Sequence, residues 1–468
     1  MSDLAHRFHP SVLREYDIRG IVDETLFPAD AAAIGRAYGT ILVRQGGKTV
    51  AVGRDGRLSS PALEAALIDG LISVGIEVLH VGLGPTPMLY FAVNELGADG
   101  GIMVTGSHNP PTHNGFKMML GKKSFFGKDI VELGRVAAAG DFTNGQGRVQ
   151  EIDLFERYVG RLLQDYHGTR PLKAVWDAGN GSGGAVMAAL TARLPGEHVC
   201  LFAEIDGAFP NHHPDPTVPE NLQALIAKVK ETGSEIGIAF DGDADRIGVV
   251  DSDGRIVWGD QILQILASDV LERLPGSTII ADVKASQVLF DEVARMGGKP
   301  LMWKTGHSLI KAKMIETGAP LSGEMSGHIF YKDGFYGHDD ALYVAVRLLD
   351  ILARGSRTLK DFRDAMPETF TTPETRFECA EDRKFEAVRN VKASLALENA
   401  NVDDVDGVRV KTDDGWWLLR ASNTQAVLVA RAESTSEAGL ERLKAAVVAN
   451  LRKAGVDAPD FSSSAGAH

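Results

Sequence analysis

The sequence predicts three related α/β domains with mixed, mostly parallel sheets and a smaller C-terminal α+β domain, arranged around a central cleft. Three observations predict this. Short apolar runs alternate with amphipathic helical stretches, the signature of strands joined by crossover helices. The alternation restarts twice, in segments of about 100–150 residues, an ordinary domain size. After Pro367 it gives way to strands joined by tight turns. A chain of 468 residues is also too long for a single core,. The domains are expected at 1–151, 152–254, 255–366 and 367–468.

Composition narrows the function classes. Hydrophobic residues make up 44% and charged residues 24%, as in globular proteins,. Apolar runs are too short to span a bilayer, and Met1–Arg7 lacks the apolar core of a signal peptide,. The two cysteines, Cys200 and Cys379, lie far apart without metal-ligand spacing, which fits a reducing, cytoplasmic setting,. A net charge of −14 argues against nucleic-acid or membrane partners,. It does not exclude a small anionic substrate in a locally basic cleft.

In the first segment, Glu15 to Gly20 reads as a polar loop carrying Arg19. Strand-like Thr49–Val52 runs into Gly53-Arg54-Asp55-Gly56-Arg57. Ser59-Ser60-Pro61 reads as an N-cap with proline at the helix start. Leu63, Ala66, Leu67, Gly70, Leu71 and Val74 keep helical spacing,. Glu77–Val81 is the next strand, Pro85-Thr86-Pro87 starts another helix, and Gly101–Val104 is a buried strand. It ends in Thr105-Gly106-Ser107-His108-Asn109-Pro110-Pro111. The two prolines stiffen this loop. It reads either as an ordinary turn or as a holder for the Ser107 hydroxyl. Asn114-Gly115 is expected to turn, leading into a short strand that carries Lys117.

The second segment opens with a helix from about Ile152 to Tyr166. Strand Leu172–Asp177 and the Gly179-Asn180-Gly181-Ser182-Gly183-Gly184 stretch follow. Gly179, Gly181 and Gly184, with Glu204 further on, match a dinucleotide fingerprint. A structural glycine turn is the competing reading, because Asp177 would face the pyrophosphate. His212-His213-Pro214-Asp215-Pro216 reads as a structural corner. Strand Ile236–Phe240 ends in Asp241-Gly242-Asp243-Ala244-Asp245-Arg246, and Ser252-Asp253-Gly254 joins the next hairpin,. The third segment repeats the alternation and carries polar loops at Lys284, at Lys304–Ser308 and at Ser322–His328. In the fourth, Arg420-Ala421-Ser422-Asn423-Thr424 lies between two strands, with a helix from about Ser436 to Ala454 beyond.

Asp241, Asp243 and Asp245 share one face if the segment is extended. Three carboxylates together call for a cation, and hard oxygen ligands suit Mg²⁺ or Ca²⁺. An EF-hand is excluded, because its glycine position holds Arg246 and its final glutamate position holds Ser252,. Open coordination positions on a strand end suit Mg²⁺ completed by a phosphate. Arg420, Ser422, Asn423 and Thr424 on a turn make a phosphate cradle. Glu324 and Ser326 suit vicinal sugar hydroxyls, and His328 suits acid/base work. One polar loop from each of four domains points to a shared cleft.

Taken in order, these motifs resemble the α-D-phosphohexomutase superfamily, most closely its bacterial phosphomannomutase/phosphoglucomutase branch. The match runs through Tyr16-Asp17-Ile18-Arg19-Gly20, Thr105 to Pro110, Asn114-Gly115-Phe116-Lys117, Asp241 to Arg246, Gly323 to His328 and Arg420 to Thr424. The resemblance implies reversible interconversion of hexose 1-phosphate and hexose 6-phosphate, for mannose and glucose. The route would be a phosphoserine enzyme and a hexose 1,6-bisphosphate that reorients in the cleft. Ser107 would carry the phosphoryl group, and Asp241, Asp243 and Asp245 would hold Mg²⁺ with it. Lys117 and His328 would be the general base and acid groups, with Arg19 and Arg246 assisting. Lys284 and His307 would contact the sugar phosphate, Glu324 and Ser326 the sugar's O3 and O4. Arg420, Ser422, Asn423 and Thr424 would hold the distal phosphate. Glucose 1,6-bisphosphate is the implied activator, small hexose phosphates the partners, and a monomer or weak dimer the assembly.

Ala244 and Gly106 depart from the usual Gly and Ala of relatives and read as neutral. Met325 favours the mannose/glucose branch over the glucosamine branch, which typically has Gln. The alternatives are a phosphoglucosamine mutase, a catalytically dead sugar-phosphate binder and, from another class, a nicotinamide enzyme.

Overall fold

The computed structural model describes residues 5–423, 425–459, 461 and 466–467. Three sheets of the first three segments share one four-strand pattern. In the first, Thr49–Arg54 lies between Glu77–Leu83 and Gly100–Val104, parallel to both, and His113–Leu120 pairs antiparallel with Gly100–Val104. The second repeats this with Leu172–Asp177 between Gly196–Leu201 and Ile236–Phe240, and Ile247–Asp251 antiparallel at the end. The third does so with Thr278–Asp282 between Lys299–Trp303 and Leu321–Gly323, and Ile329–Tyr331 antiparallel. Taken in chain order, each sheet therefore runs second, first, third, fourth. The diverged repeat read from the alternation is visible here as topology. It has a direct consequence for function. The loop between third and fourth strands recurs three times, as 105–112, 241–246 and 324–328, beyond the carboxyl ends of parallel strands where such sheets bind ligands.

Buried runs explain these strands. Gly100–Val104, Ile236–Phe240 and Ile247–Asp251 are buried at every position, as strands of a sheet covered on both faces must be,. Trp176, Phe240, Ile262, Leu289 and Leu349 belong to one apolar core that continues across the first three sheets. A second core fills the outer face of the first sheet around Ile34, Leu67 and Phe116. The fourth segment is an antiparallel sheet, with Gly415–Ala421 between Val408–Thr412 and Val427–Ser434. Helices Lys384–Leu397 and Glu437–Lys453 pack on it over a separate core around Trp417, Leu428 and Val447. This is the expected α+β unit.

Three local expectations are corrected. Asn114 and Gly115 form no turn but sit inside strand His113–Leu120. The short strand Ile18–Ile21 pairs there, so a Cβ on Gly115 would lie 2.1 Å from the Ile18 carbonyl. For the same reason the supposed polar loop at Glu15 to Gly20 is partly strand, and Arg19 projects from it. Ser59 precedes helix Ser60–Ile72 but makes no side-chain cap bond; its hydroxyl instead accepts from Asn114 Nδ2 at 2.8 Å. Ile256–Val257 pairs with Ile247–Asp251 and completes that hairpin.

Candidate active site

Ser107 stands in the first of the three repeated loops with φ +50°. A non-glycine residue in this left-handed region costs about 1–2 kcal/mol, so the surroundings must hold it there. Thr105 Oγ1 accepts the Ser107 N–H at 2.9 Å, and Asp55 accepts the Gly106 N–H at 3.0 Å. Arg19 Nη1 donates to the Gly106 carbonyl at 2.6 Å while its Nε donates to Asp17 at 2.8 Å. The hydroxyl thus fixed donates to Asp241 Oδ2 at 2.8 Å and lies 3.2 Å from His108 Nδ1. These contacts hold the hydroxyl in one place.

Asp241, Asp243 and Asp245 are fully buried, and their carboxylates converge within 4.8 Å. The pleat of an extended segment is not the cause. Residues 241–246 form a turn closed by the Ala244 N–H on the Asp241 carbonyl at 3.1 Å, with Ala244 at φ +56°. Asp241 Oδ1 also accepts the N–H groups of Asp245 and Arg246, each at 3.1 Å. Lys117, buried on strand His113–Leu120 of the first domain, donates to Asp243 at 2.7 Å and to Asp245. Thr86 and Thr105 hydroxyls also reach Asp243. Burial, then the charges of Asp245 and Asp243, hold the Asp241 carboxyl well above the ordinary carboxylate range. Burial acts on Asp243 too, but Lys117 outweighs it and keeps that carboxyl low. Lys117 itself is raised: burial opposes its charge, but Asp243, Asp245 and Asp241 overcome it. Asp243 Oδ1 and Asp245 Oδ1 are buried without a hydrogen-bond partner among the described residues. Hard, unpartnered oxygens facing one point fit a divalent cation.

The third loop presents Glu324, Ser326 and His328. Asp282 accepts the Met325 N–H at 3.1 Å, just as Asp55 accepts that of Gly106 in the first domain. Glu324 Oε1 accepts the Gly306 N–H at 2.7 Å, and burial raises its pKa. His328 Nε2 accepts from Arg246 Nε at 2.9 Å, leaving the ring proton on Nδ1. That nitrogen lies 3.1 Å from Asp339 and 3.6 Å from Asp245. Lys311 pairs with the other Asp339 oxygen at 3.1 Å, so this second acidic group already has its cation. His307 stacks on His328 with centroids 5.6 Å apart; burial, then Lys311, keep it neutral. Lys284 Nζ is 2.7 Å from Glu374, which also pairs with Arg376 at 2.7 Å.

In the fourth domain Arg420 Nε donates to Asp406 at 3.0 Å, and the Ser422 hydroxyl accepts the Gln425 N–H at 3.2 Å. Asn423 Nδ2 reaches the Tyr16 hydroxyl across the cleft. Thr424 lies outside the described residues. One cleft of about 900 Å³ is lined by Arg19, Ser107, Lys117, Arg246, Lys284, His307, Glu324, Ser326, His328, Arg420, Ser422 and Asn423. The three aspartates are reached from this cleft through Ser107, whose hydroxyl donates to Asp241. The Gly179 loop stands apart from this cleft. Its Asp177 accepts the Gly179 N–H at 2.8 Å and approaches His212 at 3.1 Å, whereas His213 and Asp215 of the same corner line the cleft.

Several residues here were not expected. Asp339, in Gly337-His338-Asp339-Asp340, carried the only visible signal: a polar run between a strand and a helix. Thr86 reads in sequence as a helix start. Glu374 and Arg376 lie beyond a proline in an unremarked stretch. His108 is legible only as a neighbour of Ser107. No helix among the described residues is long and apolar enough to cross a membrane.

Comparison with known proteins bears on the whole chain. Four profiles match in sequence. Three are described as phosphoglucomutase/phosphomannomutase alpha/beta/alpha domains I, II and III, at residues 11–133, 156–254 and 258–370. The fourth is the C-terminal domain of the same set, at 374–450. A phosphomannomutase/phosphoglucomutase of Pseudomonas putida is 48% identical over 434 residues, covering 93% of this chain and 94% of that protein. A phosphoglucomutase of Neisseria gonorrhoeae is 45% identical, covering 92% and 95%. The crystal structure of a phosphoglucomutase/phosphomannomutase family protein from Burkholderia thailandensis superimposes with a TM-score of 0.91 at 45% identity, covering 98% and 99%.

Proposed function

The chain belongs to the phosphoglucomutase/phosphomannomutase family and is a mutase of that family, and we propose that it interconverts the 1- and 6-phosphates of mannose and glucose through Ser107. The observation that carries this reading is the single cleft. Ser107, whose hydroxyl donates to the first of three converging carboxylates, lines the same cleft as Arg420, Ser422 and Asn423 of another domain. A bisphosphorylated sugar needs both ends served at once.

In this mechanism the phosphoryl group on Ser107 passes to the free hydroxyl of a bound hexose phosphate. The P–Oγ bond breaks as the P–O bond to the sugar forms, and the sugar's hydroxyl proton moves to a base. The bisphosphate then turns over and returns its other phosphoryl group to Ser107. Arg19 and Arg246 stabilise charge on the transferring group, in keeping with catalysis by positioning and electrostatics. Asp241, Asp243 and Asp245 would hold Mg²⁺, which when bound neutralises phosphoryl oxygens. His328 offers Nε2 to the cleft once Arg246 releases it, with Asp339 behind its other nitrogen. Lys117 begins as an ammonium and therefore as a donor; serving as the base requires it to give up Asp243 and Asp245. Glu324 and Ser326 are placed for sugar hydroxyls, and Lys284 and His307 for the sugar phosphate.

Arg420→Ala is expected to raise KM for either hexose phosphate about 10- to 100-fold, the worth of one charge-assisted contact. The fall in kcat should be smaller. Steady-state kinetics decides, and an unchanged KM would remove Arg420 from the distal phosphate.

The reading as a whole is tested by assaying mannose 1-phosphate, glucose 1-phosphate and glucosamine 1-phosphate separately, each with Mg²⁺ and a trace of glucose 1,6-bisphosphate. Comparable turnover of the first two supports a dual-specificity mutase. Turnover of glucosamine 1-phosphate alone would overturn the substrate assignment and the weight placed on Met325.

A further inference from the structure

We infer that Arg57 is the positioning residue of the Ser107 loop, acting on the reaction through that loop without touching substrate. The inference rests on the reading of Ser107 as the phosphoryl carrier. Arg57 is 1% exposed, yet its partners are chiefly backbone carbonyls of one loop. Nη2 donates to the carbonyls of Ser107 at 2.7 Å and Asn109 at 2.6 Å. Nη1 donates to Pro110 at 2.6 Å and His113 at 3.0 Å. Nε lies 3.2 Å from Asp55 Oδ2, the oxygen that accepts the Gly106 N–H. The guanidinium thus gathers the loop's carbonyls on its inner side and leaves the Ser107 hydroxyl facing Asp241. A planar fork serves four carbonyls through its two Nη groups while its charge pairs with a carboxylate beside Nε,.

Two further features fit this placement. Gly106 has no side chain where one would intrude: a Cβ there would lie 2.3 Å from Arg57 Nε and 2.4 Å from its Cζ. The Gly at this position, read from sequence as a neutral departure, is what makes room for the guanidinium. From the second domain, Phe209 places its ring 5.2 Å from Arg57 Cζ. That domain also supplies Asp241, so one side chain ties the Ser107 loop to the domain that carries the aspartates.

The test uses the full chain with Arg57→Ala, Arg57→Lys and Gly106→Ala. For Arg57→Ala we expect kcat to fall about 100-fold, the scale of a misplacement of about 1 Å at a reacting group. KM for glucose 1-phosphate should stay within about threefold, since no phosphate or sugar contact is removed. Guanidinium at a sub-denaturing concentration should restore part of kcat in Arg57→Ala and none in Arg57→Lys. Intact-mass kinetics of Ser107 phosphorylation by glucose 1,6-bisphosphate should show the same loss. If Arg57→Ala fails to fold, Gly106→Ala, which displaces the guanidinium, should lower kcat in the same direction. A wild-type protein that never takes up phosphate would defeat the Ser107 reading instead. Wild-type phosphorylation with unaltered rates in the folded variants, or a loss of thermal stability alone, would overturn the role of Arg57.

Discussion

Ser107→Ala is expected to lower turnover by a factor on the order of 10⁴ or more, the scale seen when a nucleophile is removed, while leaving hexose phosphate binding nearly intact. The asymmetry follows from where the hydroxyl sits. Its oxygen contacts Asp241 and His108, not the groups placed for sugar or distal phosphate. Removing it leaves Arg420, Glu324 and Lys284 in position. The backbone should survive, because the left-handed turn at residue 107 is held by Thr105, Asp55, Arg57 and Arg19 through main-chain atoms. Calorimetric titration with glucose 1-phosphate and a coupled rate assay separate the two effects. Binding retained with turnover lost fits a phosphoryl carrier. A fully active Ser107→Ala protein would sink the mechanism, since Ser107 supplies the hydroxyl that meets Asp241.

Much of this was legible in the sequence, and what was not has physical causes. Strands such as Gly100–Val104 and Ile236–Phe240 announce themselves because burial on both faces demands continuous apolar residues. The loops after them stand out because polar residues there interrupt those runs. The convergence of Asp241, Asp243 and Asp245 was expected from a strand's period. It arises from a turn with Ala244 in the left-handed region, a conformation that the residue type does not advertise. Asn114-Gly115 carries the local signature of a turn, but pairing with Ile18–Ile21 overrides it. Asp339 and Lys311 are far from His328 along the chain or sit on another element, so only the folded molecule brings them behind its ring. Arg57 was visible only as one arginine in a glycine-rich loop. Its function lies in carbonyls about fifty residues away, and backbone acceptors leave no trace in sequence.

Asp243→Asn is expected to weaken Mg²⁺ binding by at least about 100-fold, at or beyond the upper end of what outer-sphere changes cost. Asp243 is a cleaner probe than Asp241. Asp241 accepts the Ser107 hydroxyl, so changing it would disturb the nucleophile and the cation site together. Asp243 instead accepts from Lys117, Thr86 and Thr105 through one oxygen and leaves Oδ1 without a partner. An amide there loses the charge in either orientation. With its nitrogen toward Lys117 it also faces three donors, and with its nitrogen outward it fills the open position with a group that cannot ligate. Activity titrated against free Mg²⁺ after chelation measures the shift, and a saturating cation concentration should recover part of kcat. Thr86→Val, which removes one hydroxyl from the same carboxylate without changing its charge, should shift the titration by about tenfold. The order of the two shifts is the decisive feature. If charge at the unpartnered oxygen binds the cation, Asp243→Asn must exceed Thr86→Val. Equal shifts would mean that Asp243 serves only to hold Lys117, and that the cation depends on Asp241 and Asp245 alone.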